Sequence, residues 1–172
     1  MDIKADNKHV LKIGVLVASD KGFRGEREDK SGPALQKFLA NNGIKNVVVL
    51  VLPDERARIA DALVQWVDNG RYDLILTCGG TGVSPRDVTP QATADVIATN
   101  LPGFGEAMRA ASMGKSPHAI ISRAIAGIRG NTLIVNLPGS PVGAVENLEA
   151  VWPAVPHTIA KLQGDQSECA QA

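Results

Sequence analysis

Aromatic side chains are scarce, at 3% of 172 residues, which leaves too few rings to stack the bases of a single-stranded nucleic acid. No charge of one sign dominates either. Eighteen Lys and Arg face eighteen Asp and Glu, so the chain lacks the basic surface that would point to nucleic acid or to an anionic membrane. Long apolar runs are missing too; the longest aliphatic one, residues 47–52, is far too short to cross a bilayer. The opening MDIKADNKHVLK is too polar for a signal peptide. Cysteine appears twice, as Cys78 and Cys169, which makes neither a zinc spacing nor a disulfide framework. A reduced, cytoplasmic setting is expected. His9, His118 and His157 are scattered without ligand spacing and read as surface or packing residues. No Ser-His-Asp or Cys-His set is in view, which does not count against an enzyme, because phosphoryl transfer needs positioning and charge neutralisation more than a protein nucleophile.

What is present is ordinary globular material: 44% hydrophobic and 21% charged residues, enough to bury one core. The expectation is a single domain over 1–172, with its core at about 12–162 and polar ends; the tail from Gly164 is low in apolar content. Residues 12–18, KIGVLVA, form a continuous β-branched run suited to a strand buried on both faces. Ser19 and Asp20 follow at its carboxyl end, then the polar loop KGFRGERED. Ser31 is placed to cap a helix to Asn42, with Leu35, Phe38 and Leu39 on one face. A second strand, 46–52, ends at Pro53-Asp54, and Asp54 starts an amphipathic helix presenting Ile59, Leu63, Trp66 and Val67. A third strand–helix unit follows at 73–97. Three such units in succession predict a three-layer α/β fold, a mainly parallel central sheet with helices on both faces. Beyond Leu101 come a short helix, two strands about a turn at 129–131, and a helix with Ser140 as cap and Pro141 at its first position. Pro156 opens a last helix.

Chemistry concentrates at 73–97, DLILTCGGTGVSPRDVTPQATADVI. Its grammar is strand, glycine loop, helix start, with Thr89 and Pro90 as the expected cap and first helical residue. In open α/β sheets, ligands bind outside the carboxyl ends of the strands. Gly79, Gly80, Thr81 and Gly82 can bring backbone N–H groups against a phosphate, or can simply turn the chain at positive φ. Ser19, Asp20, Asp54 and Asp87 also follow strands and can converge on the same cleft. Two carboxylates beside such a loop suit Mg2+ held partly by protein and partly by substrate phosphates. Simpler roles stand beside these: Asp54 as a helix cap, Asp87 in an Asx-turn, Asn136 and Ser140 as loop and cap residues, Cys78 as packing.

Taken together, IGVLVASDKGFRGEREDKSGPAL, Pro53-Asp54, LTCGGTGVSPRDVTPQAT, SRAIAGIRGNTLIVNLPGSP and PAVPHTI resemble the molybdopterin adenylyltransferases of molybdenum-cofactor biosynthesis, over about residues 12–162. The resemblance implies a homotrimer that uses Mg2+ to join AMP from ATP to the terminal phosphate of molybdopterin. It also implies hand-over of the product to a molybdenum-inserting enzyme. Carried onto this chain, it makes Asp54 and Asp87 the essential carboxylates. Ser19, Asp20 and Gly79, Gly80, Thr81 and Gly82 would hold nucleotide and phosphates, and Ser122, Asn136, Pro138, Gly139 and Ser140 the pterin and phosphate side. Two positions depart from the pattern. Val142 stands where many relatives carry a basic residue, leaving Arg86 or Arg123 to supply that charge, and Cys78 replaces a common threonine. A non-catalytic molybdopterin-binding or scaffold module of the same fold is the alternative, and retention of both aspartates argues against it.

Overall fold

All six residues of β1 (Ile13–Ala18) are buried, as a strand needs when helices cover both its faces. The computed structural model describes residues 10–167. In it β1 lies between β2 (Val47–Leu52) and β3 (Leu74–Cys78), parallel to both. β3 pairs in parallel with β6 (Thr132–Leu137). β5 (Ala126–Arg129) and the two-residue β4 (Thr99–Asn100) then add an antiparallel edge, giving the order β2-β1-β3-β6-β5-β4. The mainly parallel sheet expected from the sequence is therefore present. Its chain starts in the middle, steps one way to β2 and the other way to β3, which sets a switch point between β1 and β3.

Alternation along each strand divides the core in two. Val15, Leu76 and Val135 face a layer made by α2 (Ser31–Asn41), α5 (Pro102–Met113), α6 (Pro141–Val151) and α7 (Ala154–Leu162). Leu16, Ile75 and Ile134 face α3 (Arg56–Val64) and α4 (Thr89–Val96), where Ile59, Leu63, Ala92 and Val96 are buried. α3 runs on into a π turn at Gln65–Asn69 that seats Val67. A one-turn helix, α1 (Asp20–Phe23), follows β1 directly.

Three helix starts differ from the sequence reading. Ser31 lies inside α2, and the cap role falls to Asp29, whose carboxylate accepts from the Ser31 and Gly32 N–H groups. Thr89 is likewise the first residue of α4, and its hydroxyl does not cap. α3 starts two residues after Asp54, whose side chain is engaged elsewhere. Each of these helices starts within two residues of its expected place; tertiary hydrogen bonds claim Ser31 and Asp54, and the Thr89 hydroxyl is buried without a partner. Pro156 lies in the first turn of α7 rather than opening it. Met108 is buried in the core as a packing residue. His9 and Cys169 lie outside the described residues.

Candidate active site

Registers place the strand ends level: Ala18 beside Leu52, Val17 beside Cys78, Cys78 beside Leu137. The loops after β1, β2, β3 and β6 consequently leave the sheet along one edge. They approach so closely that only glycine fits between them. A Cβ on Gly79, at φ 101°, would lie 2.4 Å from the Ala18 carbonyl oxygen, and one on Gly139 would lie 3.2 Å from the Gly79 Cα. The glycine loop thus answers to both of its sequence readings, positive φ and close approach.

This edge opens into a cleft of about 640 Å³ lined by Ser19, Asp54, Gly79, Gly80, Asp87, Gly139 and Ser140, all of them singled out from sequence. Asp54 Oδ2 accepts the Asp20 N–H at 2.9 Å, and Asp20 Oδ1 accepts the Asp54 N–H at 3.1 Å, so the two residues clasp each other across the β1 and β2 ends. Asp54 Oδ1 has no protein partner and points at Gly80, as does Thr89 Oγ1, which is buried and unpartnered. Asp87 Oδ2 accepts the Ser84 N–H at 2.7 Å, and its Oδ1 is unpartnered. The Asx-turn expected for Asp87 is not formed, since the Thr89 N–H goes to the Gly80 carbonyl; the carboxylate instead closes back on the loop three residues earlier and leaves one oxygen for the cleft.

Burial raises the Asp54 carboxyl above the usual aspartate range. The Asp20 N–H and Arg86 oppose that rise, while the nearby charges of Asp20 and Asp87 add to it. Asp20 is driven the other way, mainly by its hydrogen bonds from Arg86. Cys78 is pushed up to about 12 by burial, and its thiol donates to the Pro138 carbonyl, so it is a packing residue. Arg123 braces the loop by donating to the Gly82 and Asp87 carbonyls.

A second cleft, about 370 Å³, lies across Ser140 and holds Thr81, Gly82, Ser122 and Pro138 together with Val142 and His118. Ser140 lines both clefts and caps α6 through its hydrogen bond from the Gly143 N–H. Asn136 reaches neither. It is fully buried and donates to Thr77 Oγ1 and Thr93 Oγ1, tying the sheet to α4. The sequence reading missed Arg27, Lys30 and Ser31 in the first cleft and Arg109 and Lys115 in the second. The signal for the first group was available: a charge-rich loop directly after a buried strand. The second group depends on how α5 packs and had none.

A parallel sheet with a glycine loop, two free carboxylate oxygens and paired clefts at its switch point belongs to the open-sheet α/β ligand-binding domains. Residues 14–157 match the family model described as a probable molybdopterin binding domain. A molybdopterin adenylyltransferase of Helicobacter pylori is 44% identical over 157 residues, covering 90% of this chain and 89% of its own. That of Escherichia coli K12 is 39% identical over 176 residues, covering 94% and 90%. Among solved structures, the molybdopterin biosynthesis enzyme MoaB of Thermus thermophilus superposes with TM-score 0.83 at 47% identity, covering 90% of this chain and 98% of that one. The Mog protein of Mycobacterium ulcerans gives 0.85 at 34%, covering 92% and 100%. The chain belongs to the molybdopterin-binding domain family of molybdenum-cofactor biosynthesis.

Proposed function

We propose that this protein is a molybdopterin adenylyltransferase. The observation that carries the reading is the pair Asp54 and Asp87, which arrive from different strand ends and each keep one carboxylate oxygen free at the same cleft. A terminal phosphate oxygen of molybdopterin attacks the α-phosphorus of ATP, the bond to the bridging oxygen breaks, and pyrophosphate leaves. Gly79 and Gly80 line the nucleotide and phosphate side, with the Gly79 N–H spent on the Leu137 carbonyl, and the second cleft takes the pterin. Ser140, common to both, marks where the reacting phosphates meet.

Mg2+ fits the donors present. Asp54 Oδ1 and the orphaned Thr89 hydroxyl both lie against the space a Gly80 Cβ would fill, at 3.2 and 2.4 Å, and Asp87 Oδ2 borders Gly82 at 2.9 Å. Asp87 Oδ2 is taken by the Ser84 N–H, so Asp87 offers Oδ1. These are hard oxygen donors, and with no group of three or more acidic, His or Cys ligands among the described residues, ATP phosphates would complete the shell. Bound there, the ion offsets charge on the phosphates during transfer. The protein's own part is to fix two carboxylates and a rigid glycine loop in place.

The resemblance to adenylyltransferases also supports a homotrimer and hand-over to a molybdenum-inserting enzyme. The free, buried thiol of Cys78 fits a reduced cytoplasm; among the described residues no helix is long and apolar enough to cross a membrane. Mixing the protein with ATP, Mg2+ and molybdopterin should release pyrophosphate only when both substrates are present. Release without molybdopterin, or none with it, overturns the reading.

A further inference from the structure

Of the three carboxylates at the strand ends, Asp20 alone has no oxygen to offer. Its Oδ1 accepts from Arg86 Nη2 at 2.7 Å and from the Asp54 N–H, and its Oδ2 accepts from Arg86 Nε at 3.0 Å. Arg86 sits at the mouth of the glycine loop with its side chain 57% exposed, and both its bonds to Asp20 are open to solvent. The negative charges of Asp20, Asp54 and Glu55 all bear on it. A polyphosphate entering this cleft meets Asp54 and Asp87 as well as the lining cations Arg27 and Lys30, and Arg86, beside the lining on its exposed pair, is a further cation able to move onto it. An exposed ion pair holds its partners weakly, and a guanidinium fork that fits a carboxylate fits a phosphate equally well.

We propose that Arg86 is the polyphosphate receptor of this cleft, held in reserve on Asp20 and exchanged onto the incoming phosphate chain. Asp20 is then a positioning residue, not the substrate ligand suggested by its place after β1. Its main-chain N–H fixes Asp54, and its carboxylate keeps Arg86 extended at the entrance. The proposal rests on the nucleotidyl-transfer reading for its ligand class, but not for its test.

The test is the binding of inorganic tripolyphosphate, measured calorimetrically in magnesium-free, low-salt buffer. Asp20→Asn preserves the clasp, because the main-chain N–H is untouched and the amide oxygen can still accept from Asp54. It removes only the charge that competes for Arg86. It should tighten tripolyphosphate roughly two- to fivefold, the scale of an exposed pair. Arg86→Gln should weaken it about tenfold, and Arg86→Lys should restore part of that loss. In the double variant Asp20→Asn/Arg86→Gln the tightening should vanish. Equal tightening with and without Arg86 would make Asp20 a simple repulsive charge and overturn the exchange. So would tripolyphosphate binding that is unchanged by Arg86→Gln, or absent from the native protein. Since tripolyphosphate carries no adenylyl group, this cycle stands or falls separately from pyrophosphate release from ATP.

Discussion

At the residue scale, Asp54 combines catalytic promise with a burial cost. A raised folded-state pKa means that its protonated form is favoured by folding; that stabilisation is complete below the unfolded value near 3.9 and is lost as pH rises through the folded value. Asp54→Asn removes the penalty and keeps an acceptor for the Asp20 N–H. The melting temperature of the variant relative to the native protein should therefore rise between about pH 4 and pH 7, and a constant difference would contradict the burial account. The acid limb of kcat/KM should likewise sit above the ordinary aspartate range. Cys78, fully buried and with its thiol pushed up to about 12, should resist iodoacetamide in the native state and react only on unfolding, which mass spectrometry of the peptide would show. The positions of Asp54 and Asp87 after strands were legible from sequence. That Asp20 is tied up by Arg86, 66 residues on, was not, since the pairing depends on two loops meeting in space.

At the element scale, the glycine loop is where strand geometry and site geometry coincide. Gly43 and Gly79 both have positive φ, but a Cβ at Gly43 meets nothing within 4 Å while one at Gly79 strikes a backbone oxygen. Gly43→Ala should cost about 1–2 kcal/mol from φ alone. Gly79→Ala should cost clearly more, because β1 and β3 must part. Urea titration of the two variants checks this; equal losses would show that the strands yield. Helices were legible through their apolar faces, and the start of α6 through Ser140 and Pro141, but the caps of α2 and α4 were not. Ser31 and Thr89 have the chemistry of caps, yet the Ser31 hydroxyl donates to the Gly139 carbonyl and the Thr89 hydroxyl is buried against Gly80. Local propensity was overridden in both by the approach of another loop. Asn136 shows the same limit from the other side. Its motif position suggested a ligand contact, whereas its amide spans Thr77 and Thr93 in the core.

At the scale of the whole molecule, three strand–helix units sufficed to anticipate a parallel sheet, and the switch point between β1 and β3 located the cleft. The antiparallel edge was only half visible, because β4 is two residues long and carries no apolar pattern. Trimerisation rests on the family resemblance, and sedimentation velocity at micromolar concentration should give three times the chain mass; a monomer would count against it. The central claim is that Asp54 and Asp87 act on the transfer of AMP and not on the grip of molybdopterin. The most direct measurement pairs molybdopterin affinity with single-turnover pyrophosphate release in Asp87→Asn, a change that keeps shape and removes one charge. Release should slow about a hundredfold or more, the scale of removing one electrostatic interaction from a transition state, while affinity stays within about twofold. Native release rates with intact affinity, or affinity that falls in step with rate, would contradict the claim.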